Sequence, residues 1–394
     1  MMSCSKDNDN DNPEDDSKGI VETSPMVKDI KRLPTSTSSS LQVIASYAGM
    51  SELSPLLTAD VEKWRVVYRM EYPAGSATDV SGVLLKPSMV NEDFPTLVYM
   101  HATEGNRDNA PSEQGSLEVT LGTCIASAFK CNVLVPDYVG YGESKSLAHP
   151  YVHGESLAQT GLDFLLAIEN YEESPVSFPG TPHPVLIAGY SEGGYAALAL
   201  HRKIEQTPQS GFTVAKTIAG SGPYDLVAFS KAVVQQNTDI GSTTMGSFLW
   251  VLHTYKNDMA FKQPYSEIFT PDNDAKLKAI NYDFSYYKSK ETSISTTPSQ
   301  LFATSFVNSV VDGTATEFLS VSAQNSLNDF APADSVIFVY GDADTWVYPL
   351  NTTNTFTAMQ GKGCKVKVHC MPGGTHETTL TLFRDVVISS LLAQ

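Results

Sequence analysis

The stretch PVLIAGYSEGG, residues 184–194, lies near the middle of the 394-residue chain. Val185 to Ala188 form a short apolar run of the kind that makes a strand buried on both faces. GGYAALALHRKIEQ, residues 193–206, follows at once with helical character. Between the two, Gly189, Ser191 and Gly193 spell G-x-S-x-G. A serine on a sharp strand-to-helix turn is held in a strained backbone conformation, and its neighbours must be small. Its Oγ then stands at the carboxyl end of the sheet. The helix amino terminus behind it favours negative charge there. The alternative is an ordinary turn that contains a serine, since five residues recur by chance. The flanking strand and helix favour the nucleophile.

The same strand form recurs on both sides. WRVVYRMEY (64–72) and VSGVLLK (80–86) are valine-rich and partly alternating. TLVYMH (96–101), CNVLVPDY (131–138), PVLIAGY (184–190), FTVAKTIAG (212–220), DSVIFVYGD (334–342) and CKVKVHC (364–370) bring the series to eight. Helical patterns alternate with them. Leu117, Leu121, Ile125 and Phe129 make one stripe in 116–130, and Leu157, Leu162, Leu165 and Ile168 another in 154–171. Segments 193–206, 351–360 and 378–393 are also helical. This alternation predicts an α/β fold: a mostly parallel eight-stranded sheet with helices on both faces. It breaks once. Residues 226–333 carry amphipathic helical patterns and are too long for a connection, so they read as a helical cap inserted between strands 6 and 7. The predicted organisation is a disordered acidic tail over 1–35, a first core part over 36–225, the cap over 226–333 and a second core part over 334–394.

A serine is a poor nucleophile without a base. On a strand-to-helix elbow the partners follow in the order serine, acid, histidine. VIFVYGDADTWVYP places Asp344 just past a strand, with Asp342 as its rival. The residues leave both open. CMPGGTHETT then puts His376 in a glycine-rich loop after the last strand, with the proton-accepting range that a base near neutrality needs. His369 reads as strand packing, and His149, His153, His183, His201 and His253 have no matching acid. The oxyanion hole requires two backbone N–H groups. One falls to Glu192, the other to Ala102 or Thr103 in YMHATEGN. His101 and Tyr190 are expected beside the substrate. PDYVGYGES (136–144) reads as a tight loop at the site's edge. The Glu192 side chain is expected to point away, into an ion pair or solvent.

Composition bounds the partners. The net charge is −18 and 41% of residues are hydrophobic. The chain offers no basic stretch to neutralise phosphates, which argues against nucleic acid. Residues 1–19 set Asp7, Asp9, Asp11, Glu14, Asp15 and Asp16 against Lys6 and Lys18. MSC ahead of that polar run resembles the start of a mature bacterial lipoprotein, with Cys4 as the lipid-bearing residue; the other reading is a plain tail. Membrane attachment through lipidated Cys4 and a place at the cell surface, or else in the periplasm or outside the cell, are thus expectations. Cys364 and Cys370 lie about 20 Å apart in an extended strand, too far to bridge. Cys124 and Cys131 flank a turn within bridging reach, or all four are buried thiols. The chain has no CxxC pair, so no structural metal is expected.

These motifs resemble the α/β-hydrolases, and most the secretory lipase (lipase A-like) branch. The likeness rests on WRVVYRMEYPAG, SGVLLKP, VPDYVGYGES, GLDFLLA and GYSEGGYAAL, and spans roughly residues 60–394. Glu192, where that branch often has glutamine, and the HATEGN loop depart from its pattern. The resemblance implies Asp344 as the acid, because Gly341 to Pro349 matches the G-x-x-D-x-x-V-x-P acid loop usual in that family, and it implies that His101 shapes the oxyanion loop. It also implies a serine esterase or lipase without metal or organic cofactor, acting on small-molecule or lipid esters through an acyl-enzyme. Polysaccharide acetyl or feruloyl esters are a further substrate class. A serine peptidase of the same fold is the alternative, and a non-catalytic binding protein the remote one.

Overall fold

A computed structural model describes residues 26–393 apart from 74, 93, 115, 179, 260, 281 and 283–292. Nine strands form one sheet: β1 (Met26–Ser36), β2 (Val61–Glu71), β3 (Ala77–Pro87), β4 (Thr96–Met100), β5 (Val133–Pro136), β6 (His183–Tyr190), β7 (Phe212–Gly220), β8 (Ser335–Gly341) and β9 (Val366–Met371). Their order is β1-β2-β3-β5-β4-β6-β7-β8-β9. The pairs from β1 to β5 are antiparallel, and those from β5 through β9 parallel.

The near-continuous apolar strands have a simple cause. Val98 and Met100 face one core while Leu97 and Tyr99 face the other. In β6, Val185 and Ile187 alternate likewise with Leu186, Ala188 and Tyr190. Both faces are therefore covered, as a parallel sheet requires. Helices α3 (Gly154–Glu169) and α4 (Glu192–Gln206) cover the first face, with Leu157, Leu162, Tyr195 and Leu198 in its core. Helices α1 (Ser38–Tyr47), α2 (Leu117–Phe129) and α11 (His376–Leu392) cover the second, through Leu41, Leu121, Ile125, Phe383 and Val387.

Between β7 and β8 lie α5 (Leu226–Val234), α6 (Gly241–Asp258), α7 (Pro271–Ala279), α8 (Thr304–Asp312) and α9 (Thr316–Asn325). Helix α10 (Leu350–Gly361) follows β8. The aromatic residues of the inserted block pack against one another. Phe248 meets Phe302 and Phe318 edge-on at 5.9 and 6.5 Å, and Phe261 lies 5.3 Å from Phe318.

Three expectations are corrected. The sheet has nine strands, not eight, because Met26–Ser36 adds an edge strand where a disordered tail was predicted. Register shifts at Val27/Asp29 and Leu33/Ser36 break its alternation, so no period of two is visible in MVKDIKRLPTS. Its charged residues and Pro34 suit an edge. The remainder of the tail, with Cys4, lies outside the described residues. On β9, at the opposite edge, His369 and Cys370 are exposed, and Cys364, two residues ahead of the strand, is half-buried, where packing was expected; Cys124 and Cys131 are buried and unbridged. Leu117 begins the α2 stripe but is 58% exposed, since it sits at the first helical position.

Candidate active site

The elbow between β6 and α4 exists because three glycines let backbones touch. A β-carbon on Gly189 would fall 2.1 Å from the Gly193 oxygen, one on Gly193 2.2 Å from the Met100 oxygen, and one on Gly194 2.3 Å from the Gly220 oxygen. Each obstacle is backbone and has no rotamer to yield with. Gly193→Ala is therefore expected to destabilise the fold by about 3 kcal/mol, read as a lowered urea midpoint. An unchanged midpoint would contradict this packing. The turn holds Ser191 at φ 59° and ψ −124°, in the strained left-handed half of the map. Its N–H donates to Gly220 O at 2.8 Å.

Ser191, His376 and Asp344 converge from three segments. His376 Nε2 lies 2.9 Å from Ser191 Oγ, and His376 Nδ1 lies 2.7 Å from Asp344 Oδ2. Asp344 Oδ1 accepts the N–H groups of Trp346 and Val347, both at 2.9 Å. An ionised carboxylate only accepts, so Nδ1 carries the imidazole hydrogen and Nε2 is left to accept the serine proton. All three residues are buried. Asp342 is exposed and accepts from Gly373 N–H at 2.6 Å, so it steadies the histidine loop and does not touch the ring. Trp346 and Tyr190 flank the imidazole, with ring centroids 4.7 and 5.2 Å away. The cap reaches this loop as well: Trp346 Nε1 donates to Ser247 Oγ at 3.0 Å, and Thr244 Oγ1 donates to Thr345 O at 3.1 Å.

The two residues expected beside the substrate are both buried against neighbouring elements. Tyr190 donates its hydroxyl to the His376 carbonyl at 2.5 Å and packs on Phe383 of α11. Side chains alternate along β6, so Tyr190 falls on the α11 face. His101 is wholly buried, with Nδ1 2.7 Å from the Ala102 oxygen and its ring stacked 3.9 Å from Tyr138. The Tyr138 hydroxyl donates to His101 O at 2.9 Å, so this pair shapes the loop from within.

Of the two donors expected from that loop, Ala102 N–H points to Glu118 Oε1 at 3.3 Å. The N–H groups of Thr103 and Glu192 have no protein acceptor among the described residues. Burial, together with the Glu118 charge, raises Glu104 on the same loop to about 7. Behind it an apolar cavity of about 260 Å³ is lined by Ala102, Glu118, Leu121, Tyr190 and Leu380. Asp137 of the 136–144 loop is buried and accepts from Ser81 and Ser112, which anchors that loop to β3.

The Glu192 side chain does not meet solvent. It is fully buried, with Oε1 2.8 Å from Nε2 of His149, a histidine for which the sequence suggested no acid. The 43-residue separation carries no pattern. The usable signal was chemical: a carboxylate on a buried elbow needs a partner, and histidine is one.

No protein-family model matches the chain. Protein bem46 of Schizosaccharomyces pombe is 27% identical over 196 residues, which cover 43% of this chain and 59% of that protein. Among solved structures, a provisionally assigned hydrolase from Legionella pneumophila matches with a TM-score of 0.79 at 18% identity, covering 93% of this chain and 97% of that one. The rice cell wall degrading esterase LipA from Xanthomonas oryzae matches with a TM-score of 0.70 at 22% identity, over 93% and 96%. Candida antarctica lipase A matches with a TM-score of 0.62 at 13% identity, over 89% and 77%. Together with the elbow, the mixed nine-stranded sheet and the order of its strands, these likenesses show that the chain has the α/β-hydrolase fold.

Proposed function

We propose that this protein is a serine hydrolase of carboxylic esters, of the esterase and lipase kind. One observation carries the reading: a continuous hydrogen-bonded line from Ser191 Oγ through His376 to Asp344, with the serine on a strained elbow. His376 Nε2 takes the Ser191 proton as Oγ attacks the ester carbonyl. Asp344 holds the imidazole in the required tautomer and stabilises its cation. The N–H groups of Glu192 and Thr103 receive the oxyanion. The protonated histidine then gives its proton to the leaving alkoxide. A water molecule, deprotonated by His376, cleaves the acyl-enzyme and restores Ser191.

A panel of p-nitrophenyl esters of increasing acyl length tests the reading, with a fluorophosphonate probe as a second readout. The expected result is turnover of at least the short esters, and a probe adduct on the peptide that contains Ser191. Absence of both would overturn it. The likeness to LipA over 93% of the chain supports a second substrate class, esters on plant cell-wall polysaccharides. Release of acetate or ferulate from such polymers is the matching assay.

Export with a lipid on Cys4 belongs to the same proposal. A cell-surface or outer-membrane hydrolase with that tether would incorporate labelled palmitate in bacterial culture. Cys4→Ser should lose the label and move the protein from the membrane fraction to the soluble one. An unlabelled wild-type chain would remove the tether from the proposal.

A further inference from the structure

We propose that residues 149–152 form a clamp that fixes both halves of the oxyanion hole, with His149 and Tyr151 as positioning residues; this rests on the esterase reading above. Glu192 and Thr103 come from different segments, yet both reach this one tetrapeptide. Glu192 Oε1 lies 2.8 Å from His149 Nε2 and accepts the Val152 N–H at 3.4 Å. Thr103 Oγ1 lies 3.0 Å from the Tyr151 hydroxyl. The side chains of His149 and Glu192 are 1% and 0% exposed, so water does not compete for their contact.

The clamp is itself held from two sides. Val139 O accepts from His149 Nδ1 at 2.8 Å. Gly140 lies beside it with φ +91°, and a β-carbon there would fall 2.7 Å from His149 Cα. From the cap, Trp250 of α6 stacks on Tyr151 at 4.4 Å and meets the His149 ring edge-on at 5.5 Å. Tyr255 of α6 donates to Val152 O at 3.3 Å. The cap therefore presses on His149, Tyr151 and Val152, the same three residues that reach Glu192 and Thr103.

Counting protons explains why a carboxylate is tolerated beside the nucleophile. A carbonyl only accepts, so His149 Nδ1 must carry a hydrogen toward Val139. Nε2 then faces a carboxylate oxygen at bonding distance, which requires one more proton between them. With it the pair is neutral overall. Glu192 Oε2 has no partner among the described residues. Without His149 the carboxylate would stand buried and uncompensated one residue from Ser191, where negative charge opposes a developing oxyanion.

The test measures kcat and KM on a p-nitrophenyl ester, and the rate of Ser191 labelling by a p-nitrophenyl phosphonate, with the full chain throughout. His149→Ala is expected to lower kcat and the labelling rate about 100-fold, the scale of an ångström's misplacement, with KM little changed. Adding Glu192→Gln to it removes the stranded charge and should recover about tenfold. Glu192→Gln alone keeps a hydrogen bond to His149 and should cost less than His149→Ala. Tyr151→Phe keeps the stack on Trp250 and removes the hydroxyl that ties Thr103, so kcat should fall about tenfold with KM little changed.

Wild-type kcat in His149→Ala or in Tyr151→Phe would overturn the clamp. So would equal losses in His149→Ala with and without Glu192→Gln. If His149→Ala does not fold, Tyr151→Phe decides alone. If the wild type labels and turns over ester while the variants match it, the clamp falls and the esterase reading stands. If the wild type does neither, both fall together.

Discussion

Replacing Ser191 by alanine is expected to lower kcat for the best p-nitrophenyl ester by a factor on the order of 10⁶. The fold should be left intact. The elbow is held by backbone contacts: the Ser191 N–H on Gly220 O and the glycine approaches around it, none of which uses Oγ. His376 keeps its bond to Asp344 in the variant, so the base is present with nothing to activate. A residual rate of about 10³-fold over water is expected from the oxyanion donors and substrate binding. Phosphonate labelling should vanish with the hydroxyl. A variant that retains more than a trace of labelling or turnover would place the nucleophile elsewhere.

The second large effect is expected at Asp344. Its Oδ1 receives two backbone N–H groups, from Trp346 and Val347, and its Oδ2 receives His376 Nδ1–H. An asparagine there must place its carbonyl oxygen on the two N–H groups. That turns its NH₂ toward the imidazole. Nδ1 would have to accept, the hydrogen would move to Nε2, and Ser191 would face a donor in place of a base. Asp344→Asn should therefore lose about 10⁴ in kcat with KM little changed. Asp342→Asn keeps an acceptor for the Gly373 N–H and should change kcat by about twofold at most. If the two variants exchanged these outcomes, the acid would be Asp342.

The convergence of Ser191, His376 and Asp344 was legible because its determinants are local. An apolar strand, a G-x-S-x-G turn and a helix are contiguous in 184–206, and the acid and histidine loops each follow their own strand. What was not legible depended on contacts across the chain. The bulges that hide β1 are defined by its register on β2, not by its own residues. The choice between Ala102 and Thr103 turns on Glu118, sixteen residues along, which takes up one N–H and leaves the other open. Tyr190 and His101 suggest substrate contacts because they adjoin Ser191 and the loop at Ala102 and Thr103. Strand alternation sends the first below the histidine, and packing on Tyr138 buries the second. The partner of Glu192 lies on a loop with no spacing that announces it.

Strand β1 has a practical bearing on how the molecule can be attached to other things. It runs antiparallel to β2, β2 to β3 and β3 to β5, so Met26 lies at the carboxyl end of the parallel strands, the end that carries Ser191. Five interstrand steps separate β1 from β6, about 24 Å at the usual spacing. A fusion partner or support joined just ahead of Met26 would thus stand at the same end of the sheet as Ser191. Helix α11 starts at His376 and runs 17 residues down the second face, carrying Leu392 about 26 Å toward the far end. Immobilisation through the last residues would leave the end that carries Ser191 facing solution.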